Sequence, residues 1–145
     1  MDFKQVLTTL ITVLLTISLI LTIASAYKQQ RTISTLVNLS DVSSSIITRL
    51  TTEEMTFVDP SGEKQVYVID ADKAKSIPFK RTIGSYNFEF QMSILYRIEN
   101  YEFSIGTFGP APPNDRPTCS IDVSCAIWME GRLLPAKLRV IVWMD

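Results

Sequence analysis

Any chemistry in this 145-residue chain must come from a short inventory: it has no histidine, and its only cysteines are Cys119 and Cys125. Ser-His-Asp and Cys-His nucleophilic catalysis, His-ligated zinc and four-cysteine zinc are excluded on that ground. The two thiols invite a disulfide in an oxidising compartment, or they are two small half-apolar side chains on a core face. If Cys119–Met129 is a single strand, six residues at ~3.3 Å place the two Cα atoms about 20 Å apart, against a limit of ~7 Å for a bridge. A bridge therefore needs the chain to fold back at Ile121-Asp122-Val123, and both readings stay open. Asp70 and Asp72, with Glu63, are carboxylates close enough in sequence to suggest a metal or acid-base site. No glycine-bearing calcium loop accompanies them, and solvated carboxylates after an edge strand are the simpler reading. Asn38-Leu39-Ser40 is an N-glycosylation sequon, which makes Asn38 a glycan acceptor if it faces solvent at a cell surface.

Fourteen basic against fifteen acidic residues leave a net charge of -1. That supplies no basic surface for a phosphate backbone, so nucleic acid is not an expected partner. No cofactor is expected either, and the composition argues against an enzyme.

The elements that must position these residues begin with an uncharged apolar run, Gln5 to Tyr27. A helix needs roughly 20 apolar residues to cross the ~30 Å hydrocarbon layer, so the run is long enough to span. Its five threonines and two serines can bond back to the preceding helical turn instead of standing unsatisfied in lipid. The rival is a cleavable secretory signal, with Lys4 as the positive n-region and Ala24-Ser25-Ala26 as the small-x-small site. Val6 to Ile23, however, is longer than the roughly 7 to 15 residues of an h-region, which favours a retained anchor.

From Lys28 to about Thr52 the apolar residues Ile33, Leu36, Val37, Leu39, Val42, Ile46, Ile47 and Leu50 recur at gaps of mostly three and four, forming one stripe on a helix. No Gly or Pro occurs before Val58, so the apolar and amphipathic segments can be one continuous helix. Asp59-Pro60-Ser61-Gly62 is a turn cluster, and the chain after it reads as β. Val66–Asp70 is a short strand. Asn87–Ile98 alternates, with Phe88, Phe90, Met92, Ile94, Tyr96 and Ile98 on one face, Asn87, Glu89, Gln91, Ser93 and Arg97 on the other, and Leu95 the only outlier. The phase flips at Glu99-Asn100, as a hairpin requires, and Tyr101, Phe103 and Ile105 then carry the apolar face. After the proline-rich loop 109–117, a second hairpin turns at Glu130-Gly131. It puts Cys119, Ile121, Val123, Cys125, Ile127 and Met129 inward, and Leu134, Ala136, Leu138, Val140 and Val142 inward on the return. In that phase Trp128 and Trp143 fall on the opposite face, where they either cap an edge or pack against the helix, or mark a subunit contact.

The expected fold class is therefore α+β, one long N-terminal helix packed on an antiparallel sheet of about five strands. Its divisions are a hydrophobic helix over 1–27, an amphipathic continuation over 28–58 and a β-domain over 59–145. That organisation resembles the type IV pilins and their archaeal pilin-like relatives. The resemblance implies that the N-terminal helix forms a filament core through Val6, Leu7, Leu10, Ile11, Val13, Leu14, Leu15, Ile17, Leu19, Ile20, Leu21 and Ile23. It also implies that the partners are copies of the chain or related pilin-like subunits, that the membrane holds the helix before assembly, and that the β-domain faces outward at the cell surface. The function expected on that basis is a structural subunit of an extracellular filament. The alternative is a single-pass, membrane-anchored accessory or ligand-binding subunit of an envelope complex with its β-domain outside, and a cleaved, secreted β-domain is third.

Overall fold

The computed structural model describes residues 2–145, apart from the side chain of Arg97, so the outward position expected for Arg97 lies outside the described residues. A single helix, α1, occupies Phe3–Arg49, and a π-helical turn, Leu50–Glu54, continues it. Seven strands follow: β1 Thr56–Val58, β2 Lys64–Asp70, β3 Lys80–Ile83, β4 Tyr86–Ile98, β5 Tyr101–Phe108, β6 Thr118–Met129 and β7 Arg132–Met144. A 3-10 turn, Ala71–Ser76, joins β2 to the segment before β3. The class is α+β, as the alternating strands after an unbroken helical region require. The chain forms two compact units, one running to Thr35 and the other comprising Leu36–Asp145.

In the second unit, β6 pairs with β7, β7 with β4 and β4 with β5, all antiparallel. The side chains facing the core come from the positions that the alternation selects. Phe90 lies opposite Val142, Met92 opposite Val140 and Ile94 opposite Leu138, and all six are fully buried. Leu39, Val42, Ile46, Ile47 and Leu50 of the helix complete this core, together with Met55, Ile69, Ile77 and Ile127. Burying one such side chain is worth ~1.5–3 kcal/mol, so this cluster is the main source of the unit's stability. Pro135, which cannot donate to a ladder, precedes the residues of β7 that pair with β4.

Several expectations are corrected. The sheet has seven strands and is mixed, because β2 runs parallel to β6 at Val68–Asp70 against Ala126–Trp128. β structure begins at Thr56, ahead of the Asp59 turn. β3 escaped notice because Lys80–Ile83 is too short and polar to show a period. Its hairpin partner is nonetheless joined through Gly84-Ser85, with Gly84 at a positive φ that glycine supplies at little cost. The amphipathic stripe is covered only from Leu39 onward, while Ile33, Leu36 and Val37 are exposed. Phe103 is exposed too, and Ile121 and Val123 are half-buried, although the alternation places all three on the apolar face. Lengths explain this. Leu39–Leu50 at ~1.5 Å per residue reaches roughly 18 Å, whereas a 13-residue strand reaches roughly 43 Å. One helical segment covers the middle of β4 and β7 and leaves the flanks partly bare.

The helix widens into a π-turn before it ends. Thr51 Oγ1 donates to the carbonyls of Ile47 and Thr48, at 2.8 and 3.1 Å, and Thr52 Oγ1 donates to Thr48 at 2.7 Å. Hydroxyls bonding back in this way compete with the backbone ladder. The amide of Met55 then closes onto Leu50 O at 3.0 Å, five residues back, which is the wider π spacing.

Candidate assembly surfaces

The first surface lies on the apolar part of α1. It is long and apolar enough to cross a membrane, and none of its most apolar stretch is buried. Val6, Leu7, Leu10, Ile11, Val13, Leu14, Leu15, Ile17, Leu19, Ile20, Leu21 and Ile23 are all exposed, so exposure does not single out one face. The dilution by threonine is neutralised as the sequence suggests. The hydroxyls of Thr8, Thr9, Thr12, Thr16 and Thr22 each donate to the carbonyl four residues back, at 2.8 Å in every case. The segment therefore presents methyls and methylenes outward, which water penalises and lipid or other helices accept.

The second surface is on the β-unit. Phe57 of β1 stacks on Trp128 of β6, with ring centroids 4.5 Å apart and an interplanar angle of 25°. With Val68, Pro60 and Leu133 they line an apolar groove of about 300 Å³, rimmed by Asp59 and Gln65. Beside it, β2 breaks its pairing with β1: Thr56 lies opposite Ile69, but Phe57 lies opposite Gln65, so Val66–Val68 bulge out. Tyr67 sits at φ 62, a conformation uncommon for a large side chain. The groove is not legible in the sequence, because Val66–Asp70 reads as a short, uninterrupted strand and Phe57 falls in the expected helical region 28–58. Asp59 fixes the adjoining turn by accepting from the amides of Ser61 and Glu63, at 2.9 and 3.0 Å. Hydrogen bonds from Ser61, then from Glu63, hold its carboxyl below the ordinary range.

The tryptophans divide. Trp128 is half-buried in the stack, whereas Trp143 is 2% exposed, which removes it as an exposed contact. Trp143 lies opposite Glu89 and Thr118, on the face away from the helix. The proline loop is tied to that face by Gln91 Nε2, which donates to Pro110 O at 3.1 Å.

The third surface is formed by strand edges. The β4–β5 hairpin carries Ile98, Tyr101 and Phe103 exposed on the apolar face, with Tyr101 70% and Phe103 52% exposed. Opposite Ile94, β5 is irregular: Ile94 pairs with Gly106 and Leu95 with Ser104, leaving Ile105 as the extra residue. A Cβ on Gly106 would lie 2.8 Å from the Phe108 ring, so a side chain there would displace that ring. On the polar face of β6 and β7, Asp122 lies directly opposite Arg139, and the pair is bidentate. Lys137 flanks it, 3.6 Å from Asp122 and 3.4 Å from Glu102.

The residues expected to carry chemistry are placed as follows. Cys119 and Cys125 are free thiols on one strand, β6, so the disulfide reading is corrected: six residues of extended chain, roughly 20 Å, separate them. Burial pushes the Cys125 thiol up to about 11. Asn38 is exposed on α1, next to the buried Leu39. Asp70 caps the 3-10 turn by accepting from the amide of Asp72 at 3.1 Å, a structural use for that carboxylate. Among the described residues no group of three or more metal-ligating side chains converges.

No protein-family model, curated protein or solved structure matches the chain.

Proposed function

We propose that the chain is a structural subunit of a pilin-like extracellular filament, assembled through the apolar part of α1, with the β-unit forming the outer surface. One observation carries this reading: an apolar stretch with no buried residue belongs to the same helix whose later residues, Leu39–Arg49, enter the core of a β-unit. Outside a bilayer, Val6–Ile23 must bury its surface somewhere, and matching helices of other copies are the available place. The partners are copies of this chain or related subunits, the membrane holds the helix before assembly, and no covalent chemistry is performed. Electron microscopy of cells and sheared surface material tests it: regular filaments that contain this chain with its apolar segment intact are expected.

A second reading is a single-pass anchored accessory or ligand-binding subunit of an envelope complex. The groove at Phe57, Trp128 and Leu133 favours it, since an apolar recess beside a bulged strand suits a docking partner. Protein confined to the membrane fraction, with no filaments, selects this reading over the first.

A further inference from the structure

We propose that successive copies of this chain join their sheets edge to edge, β5 of one copy pairing antiparallel with the free edge of β6 of the next. This deepens the filament reading and rests on it.

β6 pairs with β7 along its whole length but with β2 only at Ala126–Trp128. Among the described residues, no strand therefore lies against the other edge of Thr118–Cys125. β5 likewise pairs with β4 on one side and with no described strand on the other. Open edges are ordinarily blunted with lysine, proline or a very short strand. Thr118–Cys125 contains no lysine, arginine, proline or glycine, and its single charge, Asp122, is already held by Arg139.

Strand direction names the occupant. Because β6, β7, β4 and β5 alternate, a second copy related by translation presents its β6 antiparallel to the first copy's β5. The faces agree as well. Tyr101 and Phe103 lie on the apolar side of β5, and Ile121, Val123 and Cys125 lie on that side of β6. Glu102 and Ser104 share the polar side with Asp122 and Ser124. A one-residue slip would place apolar side chains opposite polar ones. Of the registers that keep the faces matched, Phe103 opposite Ile121 sets Glu102 against Asp122, a like-charge pair that is destabilising. Phe103 opposite Val123 avoids this and sets Tyr101 against Cys125, Glu102 against Ser124 and Ser104 against Asp122. Pairing β6 with β6, or β5 with β5, across a twofold axis would cover one edge and leave the other bare. The head-to-tail contact covers both and is open-ended, as a filament requires. So few residue pairs make a weak contact alone. Copies already held together by their helices supply the local concentration that makes it form, which is why the occupant is a second copy and not a free peptide.

The test uses the full-length chain in the membranes of cells producing it, with Cys119→Ala and Cys125→Ala as background. Glu102→Cys and Ser124→Cys are introduced together and singly, and separate variants carry one cysteine each at Val13, Leu14, Leu15 and Thr16 to report helix association. After mild oxidation, the double variant is expected to give a ladder of disulfide-linked multimers, and each single β-domain variant only monomer. Dimers from Ser124→Cys or Glu102→Cys alone would mean symmetric pairing and overturn the proposal. Helix cross-links without the ladder would overturn it while leaving the filament reading standing. Loss of both would remove that reading and the edge pairing with it. Unchanged circular-dichroism melts of the β-domain variants confirm that a missing ladder is not a folding failure.

Discussion

Arg139 holds Asp122 across the β6–β7 ladder through two parallel hydrogen bonds, Nε to Oδ1 at 2.8 Å and a terminal guanidinium nitrogen to Oδ2 at 2.9 Å. The hydrogen bond and the charge of Arg139, with Lys137 adding to them, outweigh desolvation and hold the Asp122 carboxyl below the ordinary range. A group depressed in the folded state contributes stability that is present above its unfolded pKa, near 3.8, and is lost as pH falls through the lower folded value. Asp122→Asn is therefore expected to flatten the acid limb of melting temperature against pH below about 4. Because the pair is partly exposed, the cost at pH 7 is small, about 0.5–1 kcal/mol in denaturant unfolding.

Thr16→Asp places a carboxylate near the middle of the apolar stretch in place of a hydroxyl that satisfies itself on Thr12 O. An ionised group there costs ~2.5–3.5 kcal/mol on insertion scales, and more if buried unpaired among helices. If the chain assembles into filaments as proposed, its loss from them is expected, with Thr16→Ser as the control. Normal incorporation would count heavily against helix-mediated assembly.

Removing different lengths of helix should have opposite results. A chain beginning at Lys28 keeps Leu39–Leu50 and the residues they cover, so a soluble monomer with a cooperative melt is expected. One beginning at Ser61 loses the helix and β1, and uncovers Phe90, Met92, Ile94, Leu138, Val140 and Val142. An uncovered apolar face of that kind aggregates. Similar solubility and melting of the two chains would separate the helix from the sheet's core.

The thiols give a fourth expectation. Intact mass should be unchanged on reduction. With its thiol at about 11 against an ordinary 9.0, Cys125 should hold roughly 100-fold less thiolate at pH 8, and alkylate correspondingly slowly until the protein is unfolded. Replacing both cysteines with alanine should cost about 1–2 kcal/mol in packing.

What the sequence determined by itself follows from period and composition. The run free of Gly and Pro specifies α1, the spacing of Leu39, Val42, Ile46, Ile47 and Leu50 specifies its buried face, and the dominant alternation specifies the inward residues of β4, β6 and β7. Both long hairpins turn where the phase flips, and Glu130-Gly131 has the two positive φ angles that such a tight turn uses. The six-residue spacing of Cys119 and Cys125 on an alternating strand already disfavoured a bridge.

Tertiary structure alone decided the rest, because it depends on pairings between residues far apart in the chain. No local pattern announces that β2 lies parallel to β6, since β2's short pairing with Ala126–Trp128 is set by where the π-turn and β1 deliver the chain. The stack of Phe57 on Trp128, the Val66–Val68 bulge opposite β1 and the Thr118–Cys125 edge, which no described strand covers, are likewise relations between elements that no local pattern announces. Trp143 and Phe103 make the same point from opposite sides. Alternation assigned Trp143 outward, and it is buried there; it assigned Phe103 inward, and it is exposed. Period says which way a side chain points, but whether anything covers it depends on the reach of the neighbouring elements, and the covering helix segment is less than half as long as the strands it lies on.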